Sequence, residues 1–97
     1  MIGHIHGTVL SAIRDSVIIS AGQLGYRVRV LAPTLASARE GVELSLWTHL
    51  AVRENSHDLY GFESKEELQW FELLLTVSGI GPRSALAVLN SADIQTL

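Results

Sequence analysis

The residue types and spacing best suited to chemistry lie near the end of the chain, in Val77–Leu89, read V-S-G-I-G-P-R-S-A-L-A-V-L. Gly79 and Gly81 flank Ile80, and neither carries a Cβ. Both have ready access to positive φ, so the backbone can turn sharply there and lie close to a ligand. Pro82 suits the first position of a helix, where its missing N–H is no loss. The first-turn N–H groups of such a helix have no internal partners and sit at the positive end of its dipole. A phosphate oxygen would satisfy them, and Arg83 places a cation where a second phosphate oxygen would lie. The same stretch also reads as an αα-hairpin whose glycine turn only lets two helices pack.

A hairpin of this kind needs a helix on each side. Upstream, Ser64–Thr76 carries Leu68, Phe71 and Leu75 at helical spacing. Ser64 and Glu67 have the S-x-x-E form of a capping box, which predicts where this helix begins. The unit resembles the helix-hairpin-helix motif, which grips nucleic-acid backbone without reading sequence. Downstream, Ser91–Leu97 begins like a further helix, with Ser91 or Asp93 as its cap, and then stops. So short a helical start has no stability of its own, and the chain reads as a fragment of something longer or as ending in a frayed tail.

Residues 1–63 read as β. Met1–Leu10 is strand-like, with Gly3 and Gly7 marking a bent or closely approached strand. Arg14-Asp15 turns into Ser16–Ser20, and Gly22–Gly25 forms a second turn. In Tyr26–Leu31, Tyr26, Val28 and Val30 alternate with Arg27 and Arg29, predicting a half-buried strand with a basic outer face. Ala32–Gly41 is a loop with one helical turn. Val42–Arg53 is the longest strand, with Val42, Leu44, Leu46, Leu50 and Val52 on one face. Glu54–His57 is a polar turn, and Asp58–Phe62 closes the set. Five short strands with bent positions predict a small closed barrel of the OB type, followed by the helical segment. The expected organisation is an OB barrel over 1–63 and the start of a helix-hairpin-helix domain over 64–97.

The composition narrows the function. A 97-residue chain that is 47% hydrophobic is a globular domain and not a disordered segment. It holds no apolar run of about eighteen residues and no charged-then-apolar start, so it is expected to be soluble and unexported, without membrane partners. With no cysteine, disulfides, thiolate zinc sites and cysteine nucleophiles are excluded, which fits a cytoplasmic home. The net charge of −3 opposes nucleic-acid binding. A binder of this composition must gather its cations on one face, use backbone N–H groups, or multiply its sites by oligomerising.

Further strings carry a whole-chain resemblance. Met1-Ile2-Gly3, Gly25-Tyr26 opening a strand, Thr48-His49, Val52-Arg53-Glu54 and Leu59-Tyr60-Gly61-Phe62, in this order and ahead of G-I-G-P-R-S-A-L-A, resemble the bacterial RuvA family. The resemblance implies a non-catalytic subunit that binds the four-way Holliday junction in recombination, DNA repair and the SOS response. It implies a homotetramer of four-fold symmetry holding the junction open and square-planar. It also implies a RuvB-like AAA+ partner whose ATP hydrolysis drives branch migration. Carried over, Gly79, Ile80, Gly81 and Arg83 offer N–H groups and charge to duplex phosphate, and four copies act together by avidity. The family places an acidic pin before the last barrel strand, where its carboxylates repel phosphates at the crossover. Here that turn holds Glu54 and Asn55, and Asn55 departs from the usual pair of acids. The family's second hairpin and its motor-contacting third domain would lie beyond Leu97. For these 97 residues alone, motor recruitment is expected to be absent and DNA affinity reduced.

Smaller signals point elsewhere. His4 and His6, at i and i+2, form half of a metal site at most, and without cysteine the further ligands zinc needs are not in view. A polar barrel face is the plainer reading, and no cofactor is expected. His49 has no acid or serine spaced to form a triad. Trp47, Tyr60, Trp70 and Phe71 suit either base stacking or core packing, and Arg27 and Arg29 either a solvated face or a DNA or subunit contact. The hairpin G-x-G is followed by Pro82-Arg83 rather than G-K-[ST], so no ATP hydrolysis is expected. Two other functions stay open: an OB-plus-hairpin DNA-binding module without junction preference, and a protein-interaction domain. Junction preference over duplex separates the first from the family reading, and salt-dependent DNA binding removes the second.

Overall fold

The computed structural model describes residues 2–53 and 55–91. Five strands form a barrel: β1 (His4–Ile13), β2 (Ser16–Ala21), β3 (Leu24–Val30), β4 (Glu43–Arg53) and β5 (Ser56–Phe62). A short helix, α1 (Ala32–Ser37), joins β3 to β4, and α2 (Lys65–Leu75) and α3 (Pro82–Ser91) follow the barrel. The strand order β1-β2-β3-β5-β4 closes on itself. Neighbours are antiparallel except β3 and β5, whose parallel pairing of Val28, Arg29 and Val30 with Leu59, Tyr60 and Gly61 shuts the barrel. This is the expected OB-type barrel followed by helices.

Closure depends on β1 serving two partners. Its first half pairs with β4, from His4 opposite Trp47 to Thr8 opposite Glu43. Its second half pairs with β2, from Thr8 opposite Ser20 to Ile13 opposite Ser16, with a bulge between Val9 and Ser11. A bulge bends a strand and raises its twist, which lets β1 wrap around the barrel. At the bend, a Cβ on Gly7 would overlap the carbonyl oxygen of Ser20. Gly3, predicted to be similar, has open space around it.

The interior is filled by Ile5, Val9, Val17, Ile19, Val28, Val30, Leu46 and Leu59, with Ala38 and Leu35 following from the α1 segment. A second core lies outside the barrel wall. Ala51 of β4, Tyr60 and Phe62 of β5, and Leu31 meet Phe71 of α2 and Ala85, Leu86 and Leu89 of α3. β5 is therefore buried on both faces along Leu59–Phe62.

Several element ends differ from the sequence-based expectation. β1 runs on to Ile13 because its pairing passes through the bulge. The second turn is only Gly22-Gln23, since Leu24 and Gly25 already pair with Ala21 and Ser20. β5 starts at Ser56, opposite Arg53. On β4 the predicted inward face is buried at Leu46, whereas Val42 and Val52 are exposed (47% and 62%) because they lie beyond the ends of the core.

Candidate nucleic-acid interface

The hairpin is built from local rules and then anchored by the second core. Ser64 caps α2 by accepting from the N–H of Glu67 at 3.2 Å. The return bond of the capping box reaches one residue further back: Glu67 Oε1 accepts from the N–H of Glu63 at 3.2 Å. Burial, the largest effect, raises the Glu67 pKa above the ordinary carboxylate value, and the nearby Glu63 and Glu66 add to the rise, while its backbone hydrogen bonds oppose it. At the other end of α2, Thr76 donates through N–H and Oγ1 to the carbonyl of Leu73.

The chain then reverses. Val77 N–H donates to Leu74 O and Ile80 N–H to Val77 O, each at 3.1 Å. Gly79 sits at φ 87°, which a side-chain-bearing residue adopts only at a cost, and a Cβ built there meets nothing within 4 Å. Gly81, by contrast, is not at positive φ. Its carbonyl accepts from Ala85 N–H at 2.9 Å, and Pro82 opens α3 directly after it. Of the predicted site residues, Ile80 has its N–H engaged in the turn, and its side chain packs against the second core. The N–H groups of Gly79 and Gly81 have no partner among the described residues. Arg83 is exposed one residue into α3.

Phe71 fixes this hairpin to the barrel. It is fully buried, with its ring 5.2 Å from Tyr60, 4.9 Å from Phe62 and 5.5 Å from His49. Polar ties flank it. His49 Nδ1 lies 3.0 Å from Glu72 Oε2, Asn90 Oδ1 accepts from Ala32 N–H at 2.8 Å, and Thr34 Oγ1 donates to Glu63 Oε2 at 2.9 Å. Burial rules out base stacking by Tyr60 and Phe71, which were open to either role. Trp47 is edge-on to His4 at 4.7 Å and lies under Lys65 Nζ at 4.6 Å.

Anchoring brings Arg83 to the barrel's basic side. A cleft of about 740 Å³ is lined by Arg83, by Arg14 and Asp15 of the β1–β2 turn, and by Arg27 and Arg29 of β3. Arg29 is the most restrained of the four arginines, 3.4 Å from Asp15 and 3.7 Å from Asp58. The sequence left Arg27 and Arg29 open between a solvated face and a DNA or subunit contact, and Arg14 read only as a turn residue. The available signal was that the β2–β3 face and the β1–β2 turn are where OB folds meet nucleic acid.

The remaining predicted residues are placed more simply. Asn55 is exposed in the β4–β5 turn, and Glu54 lies outside the described residues. His6 Nδ1 is hydrogen-bonded to Ser45 Oγ, and its Nε2 is 3.5 Å from Glu43. Among the described residues no group of three or more metal-ligating side chains comes together, and no helix is long and apolar enough to cross a membrane.

Residues 1–61 match the family model described as the RuvA N terminal domain, well over half of the chain. The chain belongs to this family. Relatives extend the RuvA likeness through the hairpin. The chain is 45% identical over 97 residues, its full length, to the Holliday junction branch migration complex subunit RuvA of Mycobacterium tuberculosis (strain ATCC 25618 / H37Rv), covering 50% of that protein. It is 46% identical over 97 residues to the subunit of the same name from Nocardia farcinica, covering 100% of the chain and 48% of the relative. The Ruminiclostridium cellulolyticum RuvA subunit is 41% identical over 92 residues, covering 94% of the chain and 46% of the relative. The chain therefore spans about half the length of the curated RuvA relatives it matches.

Proposed function

We infer that this chain is the junction-binding portion of a RuvA-type subunit, which holds four-way DNA open for branch migration and makes or breaks no covalent bond itself. The observation that carries the reading is the match, along the whole of this chain and about half of each relative, to subunits named for that complex. The Gly79 hairpin, with its open face and unpartnered amides, supplies the means. In this reading residues 1–63 are the OB barrel domain of the subunit and residues 64–97 the start of its helix-hairpin-helix domain, working in the bacterial cytoplasm. Phosphate meets the N–H groups of Gly79 and Gly81 and the guanidinium of Arg83, while Ile80 holds the turn in shape. Glu54 and Asn55 form a pin with one carboxylate instead of two. Four copies surround the crossover, and a RuvB-type AAA+ motor supplies ATP hydrolysis.

The test is a gel-shift titration of the chain against a synthetic four-way junction and a matched linear duplex, with the Gly79→Val/Gly81→Val variant alongside. Preference for the junction, lost in the variant, is the expected result. Equal weak binding to both DNAs indicates a module without junction preference. Binding to neither at low salt indicates a protein-interaction domain.

A further inference from the structure

We propose that Asn90, near the end of α3, is a positioning residue that aims the hairpin for the four-way junction; the proposal rests on the reading above, with several copies on one junction. Its Oδ1 accepts from Ala32 N–H at 2.8 Å, across 58 positions of sequence. Ala32 opens α1 directly after β3, and Leu31 before it supplies no side-chain oxygen to cap that helix. An amide at the start of a helix lacks a partner within it, so α3 caps α1 from outside.

The bond matters because the apolar contacts of α3 lack direction. Ala85, Leu86 and Leu89 hold the helix on the second core by burial, and burial is non-directional. A hydrogen bond favours a narrow range of distance and angle, so it fixes the rotation and register that burial leaves free. The hairpin stands at the opposite end of the same helix. Ten residues, at about 1.5 Å each, make α3 about 15 Å long. A shift at Asn90 is therefore carried along α3 to Arg83 and to the N–H groups of Gly79 and Gly81.

The other helix is tied to the same segment. Glu63, just before the α2 cap, accepts from Thr34 Oγ1, so α1 braces both helices of the hairpin. The two ties differ in kind. Thr34 is buried at 1% exposure, and its loss would disturb packing, whereas Asn90 is exposed and stands outside the second core. Asn90 thus contributes direction with little burial. A duplex held by one or two hairpins tolerates a misaimed one. A junction held by several at once does not, because the effective concentration for each further contact depends on geometry.

The experiment is fluorescence anisotropy of the 97-residue chain on labelled four-way junction and matched duplex, for wild type, Asn90→Ala and Asn90→Asp. Hydrogen exchange at the Ala32 amide is followed alongside. Alanine is the better helix former, so Asn90→Ala should melt close to wild type while its Ala32 amide exchanges faster. Its ratio of junction to duplex affinity should fall about five-fold, the equivalent of one lost cap, with duplex affinity near wild type. Asn90→Asp keeps an oxygen for the Ala32 N–H and should restore both the ratio and the slow exchange. Its added negative charge acts on both DNAs alike and leaves the ratio unmoved. Faster exchange in Asn90→Ala with an unchanged ratio overturns the proposal and leaves the junction reading intact. Equal losses on both DNAs with a lowered melting temperature overturn it as well, since the residue is then only structural. A ratio that Asn90→Asp does not restore removes the hydrogen bond as the cause. A wild type without junction preference overturns the junction reading and this proposal together. Should Asn90→Ala not fold, Asn90→Gln decides, because its extra methylene displaces the accepting oxygen and the same fall in ratio is expected.

Discussion

Barrel and hairpin both depend on glycine, for opposite reasons. In the barrel, glycine makes room. A Cβ on Gly7 would overlap the Ser20 carbonyl, and one on Gly61 would lie 2.6 Å from Val28 Cγ1 and 2.8 Å from Leu46 Cδ1. In the hairpin, Gly79 has nothing within 4 Å of its would-be Cβ, and what excludes a side chain there is φ 87°. The first kind of glycine belongs to a packed interior, where the neighbours are other parts of the same chain. The second leaves an open backbone surface, as expected where the neighbour is a ligand. Stability and binding should thus separate cleanly between the two regions.

The largest effect should come from the residue that joins them. Phe71→Ala empties the centre of the second core and should cost about 3–5 kcal/mol. Chemical denaturation would read it, and an α2–α3 unit that melts before the barrel would show that the hairpin's position depends on this ring. Gly7→Ala should follow at about 3 kcal/mol, the upper end of overpacking costs, because the obstacle is backbone. Gly61→Ala should cost less, since the crowding atoms are side-chain ends.

Gly79→Ala reverses the pattern. The strain of positive φ should cost about 1–2 kcal/mol of stability, while DNA affinity falls by more than the fraction unfolded explains. Affinity unchanged in a folded Gly79→Ala variant would break the comparison. Smallest is the pH response at the α2 cap. The Glu67 pKa is raised in the folded chain, so folding favours its protonated form, and stability falls as pH rises from the ordinary carboxylate value through the raised one. Glu67→Gln keeps an oxygen for the Glu63 N–H and should remove that part of the decline. The difference between wild-type and variant melting temperatures across acidic pH measures it.

The comparison also explains which features were legible in advance. The Ser64 cap, the Pro82 start and the Phe71-centred helix face follow from contacts within a few residues, and the sequence pattern contains them. Alternation in β3 placed Val28 and Val30 inward correctly. On β4 it placed Leu44, Leu46 and Leu50 toward the barrel core, but alternation does not say where the core ends or that the opposite face is covered too. Ala51, on the face read as outward, is buried beneath the helices, while Val52 is exposed. The engagement of the Ile80 N–H within the turn was likewise not readable from G-I-G.

The sequence by itself determined the elements, their order, the closed-barrel class and the hairpin, because caps, turns and periodicity act over a few residues. Only the tertiary structure decided what those elements share: the double pairing of β1, the second core around Phe71, and the meeting of Arg14, Arg27 and Arg29 with Arg83. Each of these joins residues far apart in the chain, and their proximity results from barrel closure and helix docking, which no local spacing encodes.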